Sequence, residues 1–231
     1  MPSTTRIEFG DWQTPDLLAQ QVVEHVLQQL REPPATIVEP TCGRGAFLVA
    51  AAQRCSSSVL LGYEINAEYA TQATSRLRNH SARISIADFF IVDWEREIAT
   101  WPEPILVIGN PPWVTSAGLG ALGSENLPKK QNFKHLRGID ARTGKSNFDV
   151  CEWMILRLLA SLAERESTLA LLCKSSVARR VIEFCAKNAL PIAPGGVWRI
   201  DAGKHFQAAV DAVLFVCRTG SNASCVDTRW P

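Results

Sequence analysis

Apolar positions along the chain switch between two spacings, and the switch predicts the architecture. Over residues 15–30, Leu17, Leu18, Val22, Val23, Val26, Leu27 and Leu30 recur at helical spacing; Thr14 is placed to cap this helix, Pro15 suits its first turn and Pro33-Pro34 stops it. Short apolar runs follow at 36–38, 59–63, 84–86, 105–108 and 168–173, most of them separated by helix-compatible stretches such as 46–54 and 67–78. That alternation predicts βαβ units around a parallel sheet. Residues 196–200 and 212–217 read as two more strands, joined by a short connection containing Gly203. A connection of that length cannot hold a helical crossover, so these strands should pair antiparallel. The expected fold class is α/β, doubly wound and mostly parallel, with one antiparallel strand near the C-terminus. Residues 115–147 break the pattern: rich in Gly, Ser, Asn and Lys, they predict a long, mobile loop of the kind that carries function.

Composition narrows this picture. With 231 residues and 46% hydrophobic content the chain buries one substantial core, which predicts one main domain over 1–231. Lys and Arg number 24 against 23 Asp and Glu, a formal charge of +1, so any nucleic-acid surface must be local rather than a property of the whole molecule. The seven cysteines, Cys42, Cys55, Cys151, Cys173, Cys185, Cys217 and Cys225, are odd in number, scattered and never spaced C-x-x-C. This disfavours a disulfide framework and a zinc site, and fits a reducing cytoplasm with no resident metal. No signal-peptide core opens the chain and no apolar run reaches the roughly 18 residues of a membrane span, so no membrane partner is expected.

The first strand runs into Glu39-Pro40-Thr41-Cys42-Gly43-Arg44-Gly45-Ala46-Phe47, a glycine turn opening directly into a helix, as in nucleotide-binding α/β folds. Leu48 follows Phe47, so the third glycine of a dinucleotide fingerprint is missing. Glu39 adds a carboxylate that would repel a pyrophosphate but suits the ammonium and sulfonium charges of S-adenosyl-L-methionine. Glu64 ends the second strand 19 positions after Gly45, where a carboxylate can take both ribose hydroxyls. The third strand leads into Ala87-Asp88-Phe89-Phe90, an acceptor followed by rings, which is what an adenine needs for one amine hydrogen bond plus stacking.

The fourth strand empties into Gly109-Asn110-Pro111-Pro112-Trp113, the most specific signal in the sequence. An exocyclic amine on a base is a poor nucleophile because its lone pair is delocalised into the ring. Catalysis therefore needs acceptors that pull on its two hydrogens and favour a pyramidal nitrogen. The Asn110 side-chain oxygen and the Pro111 carbonyl fill that role. Pro111 and Pro112 fix the backbone at little conformational cost, and Trp113 offers a flat face to an unstacked base. The absence of a Pro-Cys dipeptide agrees with direct transfer of a methyl group, without a covalent enzyme intermediate.

The order of these motifs resembles the gamma-type adenine-N6 DNA methyltransferases, a class I S-adenosylmethionine-dependent family, from Phe9 to about Thr219. Phe9-Gly10-Asp11-Trp12-Gln13-Thr14-Pro15 looks like the family's first motif, which implies that Thr14 meets the methionine carboxylate. The resemblance further implies Glu39 and the Gly43/Gly45 loop around the methionine moiety, Glu64 on the ribose, and Asp88 and Phe89 on the cofactor's adenine, with Thr41 and Ile65 completing the cofactor-binding set. It places Asn110 to Trp113 on the target base, with Asn110 also bordering the cofactor. His205-Phe206-Gln207 is similar to the family's late motif and makes Phe206 a second aromatic against the flipped base. The family's Rossmann-like sheet has seven strands, the last inserted antiparallel. Members usually carry a target-recognition domain after the catalytic core, so sequence choice is expected from a separate subunit or a missing C-terminal domain.

Lys129, Lys130, Lys134, Arg137, Arg142 and Lys145, with Phe133 and His135 interleaved and only Asp140 opposing, make the long loop locally electropositive. They are candidate phosphate contacts flanking a flipped base in DNA. Arg157, Arg165, Arg179, Arg180 and Lys187 alternate with Glu164, Glu166 and Glu183 on predicted helices and read as solvated faces. The expected function is a site-specific, adenine-specific DNA methyltransferase of the restriction-modification kind. RNA adenine and the cytosine 4-amino group remain open as acceptors. A protein glutamine amide is disfavoured because only about 35 residues precede the cofactor turn, too few for the helical substrate domain of the release-factor type. A cofactor-binding subunit of a larger modification or defence complex is the non-enzyme alternative. A nicotinamide oxidoreductase is disfavoured by Glu39 and the absent glycine.

Overall fold

The computed structural model describes residues 13–115 and 149–220. The Phe9–Trp12 part of the first motif, Cys225, and the basic cluster Lys129, Lys130, Lys134, Arg137, Arg142 and Lys145 lie outside the described residues. The strands are β1 (Thr36–Glu39), β2 (Val59–Glu64), β3 (Ala82–Ile86), β4 (Ile105–Gly109), β5 (Ser167–Lys174), β6 (Ala193–Ile200) and β7 (Ala212–Thr219). The helices are α1 (Asp16–Leu27), α2 (Ala46–Ala52), α3 (Ala67–Arg76), α4 (Trp94–Ala99), α5 (Val150–Leu162), α6 (Ser175–Lys187) and α7 (Ala202–Phe206).

The strands form one sheet in the order β3-β2-β1-β4-β5-β7-β6. All neighbours are parallel except β7, which runs antiparallel to both β5 and β6. Every residue of β1 and β4 is buried, and β5 is buried up to Lys174. Such continuous burial explains why these strands read as unbroken apolar runs instead of alternating ones. Helix α1 packs on α2 and α3 covers β2 and β3, while α4, α5 and α6 pack on one another in turn. The two helical groups follow from the sheet order: β1 to β3 step one way from the centre and β4 onward step the other. Right-handed crossovers then put their helices on opposite faces. Ile37, Leu106, Ile108, Phe47, Leu48 and Phe215 are among the fully buried side chains at the centre.

Each element extends the sequence pattern by one to three residues or falls short of it by a similar margin. The first helix ends at Leu27 instead of Leu30, because residues 28–30 turn tightly, with Gln29 N donating to the Val26 carbonyl (3.0 Å) and Leu30 N to that of Leu27 (3.3 Å). Leu30 still packs against the core, so the apolar spacing outlasts the helix. The cap is also displaced: Pro15 occupies the N-cap position, no side chain caps the helix, and Thr14 stands one residue outside it. The connection from β6 to β7 holds the five-residue α7, too short to cross over, and β6 and β7 pair antiparallel from Ala193↔Arg218 to Ile200↔Ala212.

Candidate functional site

The sheet order reverses between β1 and β4, where crossovers depart in opposite directions and leave a crevice at the carboxyl ends of the strands. Glu39 ends β1 at this point and is 3% exposed. Its Oε2 accepts a hydrogen bond from Leu48 N at 3.3 Å. Burial, reinforced by the negative charge of Glu64, pushes its pKa well above the usual carboxylate range against the opposing pull of the Leu48 N–H and Arg76.

The turn after β1 closes through Gly45 N donating to the Cys42 carbonyl (2.7 Å), and Cys42 N reaches the Tyr63 carbonyl on β2 (2.8 Å). Thr41 is half-buried within it. Gly43 and Gly45 have φ of 51° and 74°, left-handed values that glycine adopts without penalty. A Cβ on Gly45 would lie 3.1 Å from the Ala73 Cβ on α3, so the glycine also lets the turn sit directly on that helix. Glu64, at the tip of β2 and 8% exposed, receives Gly43 N on Oε2 (2.7 Å) and Asn66 N on Oε1 (2.8 Å). Two such bonds use part of a carboxylate's capacity of about four acceptor sites. They fix the carboxylate between the glycine turn and the start of α3, whose first turn is capped by the Asn66 side chain through Glu68 N and Tyr69 N.

Beyond Glu64 the rim is apolar, with Ile65 48% and Ile86 64% exposed. Asp88 follows, half-buried, its Oδ1 engaged by Phe90 N at 2.9 Å. Phe89, read from the sequence as a ring for stacking on adenine, belongs to the buried core. It is 4% exposed and packs at 4.8 Å from Trp94 and 6.2 Å from Trp153, while its carbonyl takes the Trp94 indole N–H. An aromatic so close to three others gains more from the core than from the crevice. Phe90, beside it, is half-buried.

Asn110 opens the segment after β4. A Cβ on Gly109 would lie 3.4 Å from the Glu39 Cγ, which puts the buried carboxylic side chain of β1 against the root of Asn110. Asn110 Nδ2 donates to Thr14 Oγ1 at 3.3 Å. Pro111 is buried and Pro112 half-buried. Trp113 also differs from the exposed face expected of it: it is 7% exposed, its indole N–H reaches the Leu172 carbonyl on β5 (3.3 Å), and its ring meets Phe206 edge-to-face at 5.2 Å. Phe206 itself is 4% exposed. The two aromatics that sequence reading placed at the target base are therefore in contact with each other. They form a wall behind the tip of β4.

Several contributors escaped the sequence reading. Gln13 Oε1 accepts from Arg44 N at 3.2 Å, and Arg76 donates to the Arg44 carbonyl (2.9 Å) while pairing with Asp16 (2.7 Å), so α1, α3 and the glycine turn are tied together. Asp149 caps α5 through Cys151 N (3.0 Å), pairs with Lys174 at the end of β5 (3.1 Å) and bridges to Thr115. An Asp before the apolar run 150–162 is a legible cap signal; contacts spanning 31 or more residues, like that of Gln13, have none. The cysteines Cys42, Cys55, Cys151, Cys173, Cys185 and Cys217 are buried free thiols, and burial raises the pKa of each, Cys173 and Cys185 to about 12, which disfavours the thiolate form. Among the described residues no group of three or more His, Cys, Asp or Glu could hold a metal, and no helix is long and apolar enough to cross a membrane.

No family model matches the chain. It is 42% identical over 218 residues to the type II methyltransferase M.NspV of Nostoc sp. (strain ATCC 29411 / PCC 7524), a match covering 93% of this chain and 45% of that protein. The chain thus spans less than half the length of the curated relative it matches. Among solved structures it is similar to a class I S-adenosylmethionine-dependent methyltransferase from Listeria monocytogenes, with a TM-score of 0.63 at 14% identity, covering 94% of this chain and 62% of that one. A modification subunit of a type I restriction enzyme from Vibrio vulnificus YJ016 aligns with a TM-score of 0.56 at 16% identity, over 89% and 44% of the two chains. The fold is the Rossmann-like fold of the class I S-adenosylmethionine-dependent methyltransferases.

Proposed function

We propose that the chain is the catalytic region of an S-adenosylmethionine-dependent DNA methyltransferase acting on the 6-amino group of adenine. The observation that carries this reading is the meeting of Glu39 and the Asn110 segment across the β1/β4 crevice, with the glycine turn and Glu64 alongside. The residues fit the cofactor. Two carboxylates and left-handed glycines line the crevice, a set suited to a ligand with cationic and hydroxyl groups and unsuited to a pyrophosphate. Glu39, Thr41, Gly43 and Gly45 would hold its methionine end, Glu64 the ribose hydroxyls, and Ile65 with Asp88 the adenine; Phe89 supports that wall from beneath. When bound, S-adenosylmethionine supplies a methyl group on a sulfonium sulfur that leaves as a neutral thioether.

The chain's own task is to make an aromatic amine nucleophilic. The Asn110 carbonyl and the Pro111 carbonyl would accept hydrogen bonds from the two N–H groups, which localises the nitrogen lone pair and stabilises the positive charge that builds on nitrogen; once the N–C bond has formed, that charge is discharged by loss of one N–H proton to solvent. Pro111 and Pro112 hold the segment in one conformation, so little reorganisation is needed as that charge develops. Trp113 and Phe206 form the apolar wall against which an unstacked base would rest. Lys129, Lys130, Lys134, Arg137, Arg142 and Lys145 would contact DNA phosphates. The relative is named a type II methyltransferase, which favours DNA over RNA as the acceptor.

The test is methyl transfer from labelled S-adenosylmethionine to unmethylated DNA and to RNA, followed by nucleoside identification. The expected product is N6-methyladenine in DNA, lost in Asn110→Ala while cofactor affinity changes by no more than about threefold. Label recovered in RNA, in 4-methylcytosine or in protein overturns the assignment of the acceptor.

A further inference from the structure

Gln13 and Thr14 are adjacent in the chain yet touch opposite sides of the crevice. The Gln13 side chain accepts from Arg44 N (3.2 Å) and lies so close to Gly43 that a Cβ there would come within 2.7 Å of its Oε1. One residue on, Thr14 Oγ1 accepts from the Asn110 amide nitrogen at 3.3 Å, a contact between positions 96 residues apart. The dipeptide is held in place from both sides, because Asp16 in the first turn of α1 pairs with Arg76, which also grips the Arg44 carbonyl. A short strap thus runs from the glycine turn of β1 to the tip of β4.

A carboxamide is planar, with oxygen and nitrogen on opposite corners of nearly equal size. Rotating it by half a turn costs nothing sterically and exchanges an acceptor for two donors. For an amine substrate the difference is decisive: a carbonyl attracts the N–H hydrogens, whereas an NH₂ group facing them repels. Whatever fixes the rotation of Asn110 therefore fixes whether the segment can act. With Nδ2 bonded to Thr14, the carbonyl faces away from the strap. The resemblance noted above gives Thr14 a different task, contact with the methionine carboxylate, and the structure shows its hydroxyl turned to Asn110.

Resting on the amine-methyltransferase reading, we propose that Thr14 is a positioning residue for Asn110: its hydroxyl, accepting from Nδ2, anchors the carboxamide at the tip of β4 in the rotation that leaves the carbonyl for the target amine. Gln13 anchors that hydroxyl to the cofactor turn, so the acceptor and the cofactor site are set by one piece of backbone.

Two measurements on the full 231-residue chain test this with Thr14→Val, which keeps the shape and removes the hydroxyl, and Thr14→Ser, which keeps the hydroxyl. In ¹⁵N NMR the Asn110 side-chain amide pair, identified by its loss in Asn110→Ser, should shift and exchange faster with solvent in Thr14→Val and stay in place in Thr14→Ser. With labelled S-adenosylmethionine and unmethylated bacteriophage DNA, Thr14→Val should lower kcat about tenfold or more with the cofactor KM within about threefold, and Thr14→Ser should recover most of the rate. An unmoved Asn110 amide pair, or a large rise in cofactor KM at unchanged kcat, would overturn the proposal and return Thr14 to the cofactor. Failure of the parent chain to methylate any nucleic acid would count against the amine-methyltransferase reading, and the amide resonances would still decide the role of Thr14.

Discussion

Glu39 sits in the crevice in a state that opposes its own charge, and that has a measurable consequence. Burial raises its pKa, so the free protein holds this proton more tightly than the unfolded chain does. The associated stability is complete below the ordinary carboxylate range and is lost as pH rises through the raised value. Over the window that opens above the ordinary carboxylate range, the thermal midpoint of the free protein should fall with rising pH more steeply than that of Glu39→Gln, which cannot titrate. S-adenosylmethionine, by bringing positive charge to the carboxylate, should stabilise the native chain increasingly over that window and the glutamine variant evenly. Parallel pH profiles for the two proteins would show that Glu39 does not titrate there. Gly45 makes a second expectation: Gly45→Ala forces a side chain into a left-handed conformation and against Ala73, and should cost about 1–2 kcal/mol in urea denaturation. A loss near zero would mean that the turn relaxes. The positions of both residues at the candidate site were legible from the sequence, since a carboxylate at a strand end and a glycine before a helix are local signals. The environments of Trp113 and Phe89 were not, because whether an aromatic packs inward depends on partners such as Phe206 and Trp153 that lie far away in the chain.

The central strands emerged as unbroken apolar runs because they are buried on both faces, and α1 emerged from a one-sided stripe because one face of it meets the core; β3, at the edge of the sheet, is not buried in this way. Where the pattern misled, it did so at ends: Leu30 continues the buried stripe after α1 has stopped, and Thr14, read as a cap, is turned to Asn110 instead. The cap on α5 shows how an end can matter. The Asp149 carboxylate satisfies the first turn of the helix and pairs with Lys174 from β5, while its backbone bridges to Thr115, two residues beyond Trp113, so one residue joins three pieces of the frame. Asp149→Ala should cost about 2 kcal/mol, the upper end for a lost cap, because Lys174 loses its partner at the same time. Asp149→Asn, which keeps an oxygen for the cap, should cost less. Equal losses in urea denaturation would show that the ion pair, and not the cap, carries the effect.

The arrangement places the residues proposed for the cofactor and the amine acceptors at one end of the sheet. The reversal of strand order at β1/β4 assembles Glu39, Glu64, Asp88 and Asn110 at neighbouring strand ends, though they lie up to 71 positions apart in sequence. With a formal charge near zero over these residues, any attraction to DNA has to come from a local cluster. If Lys129 and Lys130 contact phosphates, replacing both by Ala should weaken DNA binding about equally across sequences and lower the slope of log affinity against log salt by about 2. An unchanged slope would remove them from the interface. The relation between cofactor and amine acceptors is tested most directly by a crystal structure of the chain with S-adenosylhomocysteine. The expected result has the ribose hydroxyls on Glu64, the homocysteine amine beside Glu39 and the sulfur facing the Asn110 segment. A ligand bound elsewhere, or a sulfur directed away from Asn110, would contradict it.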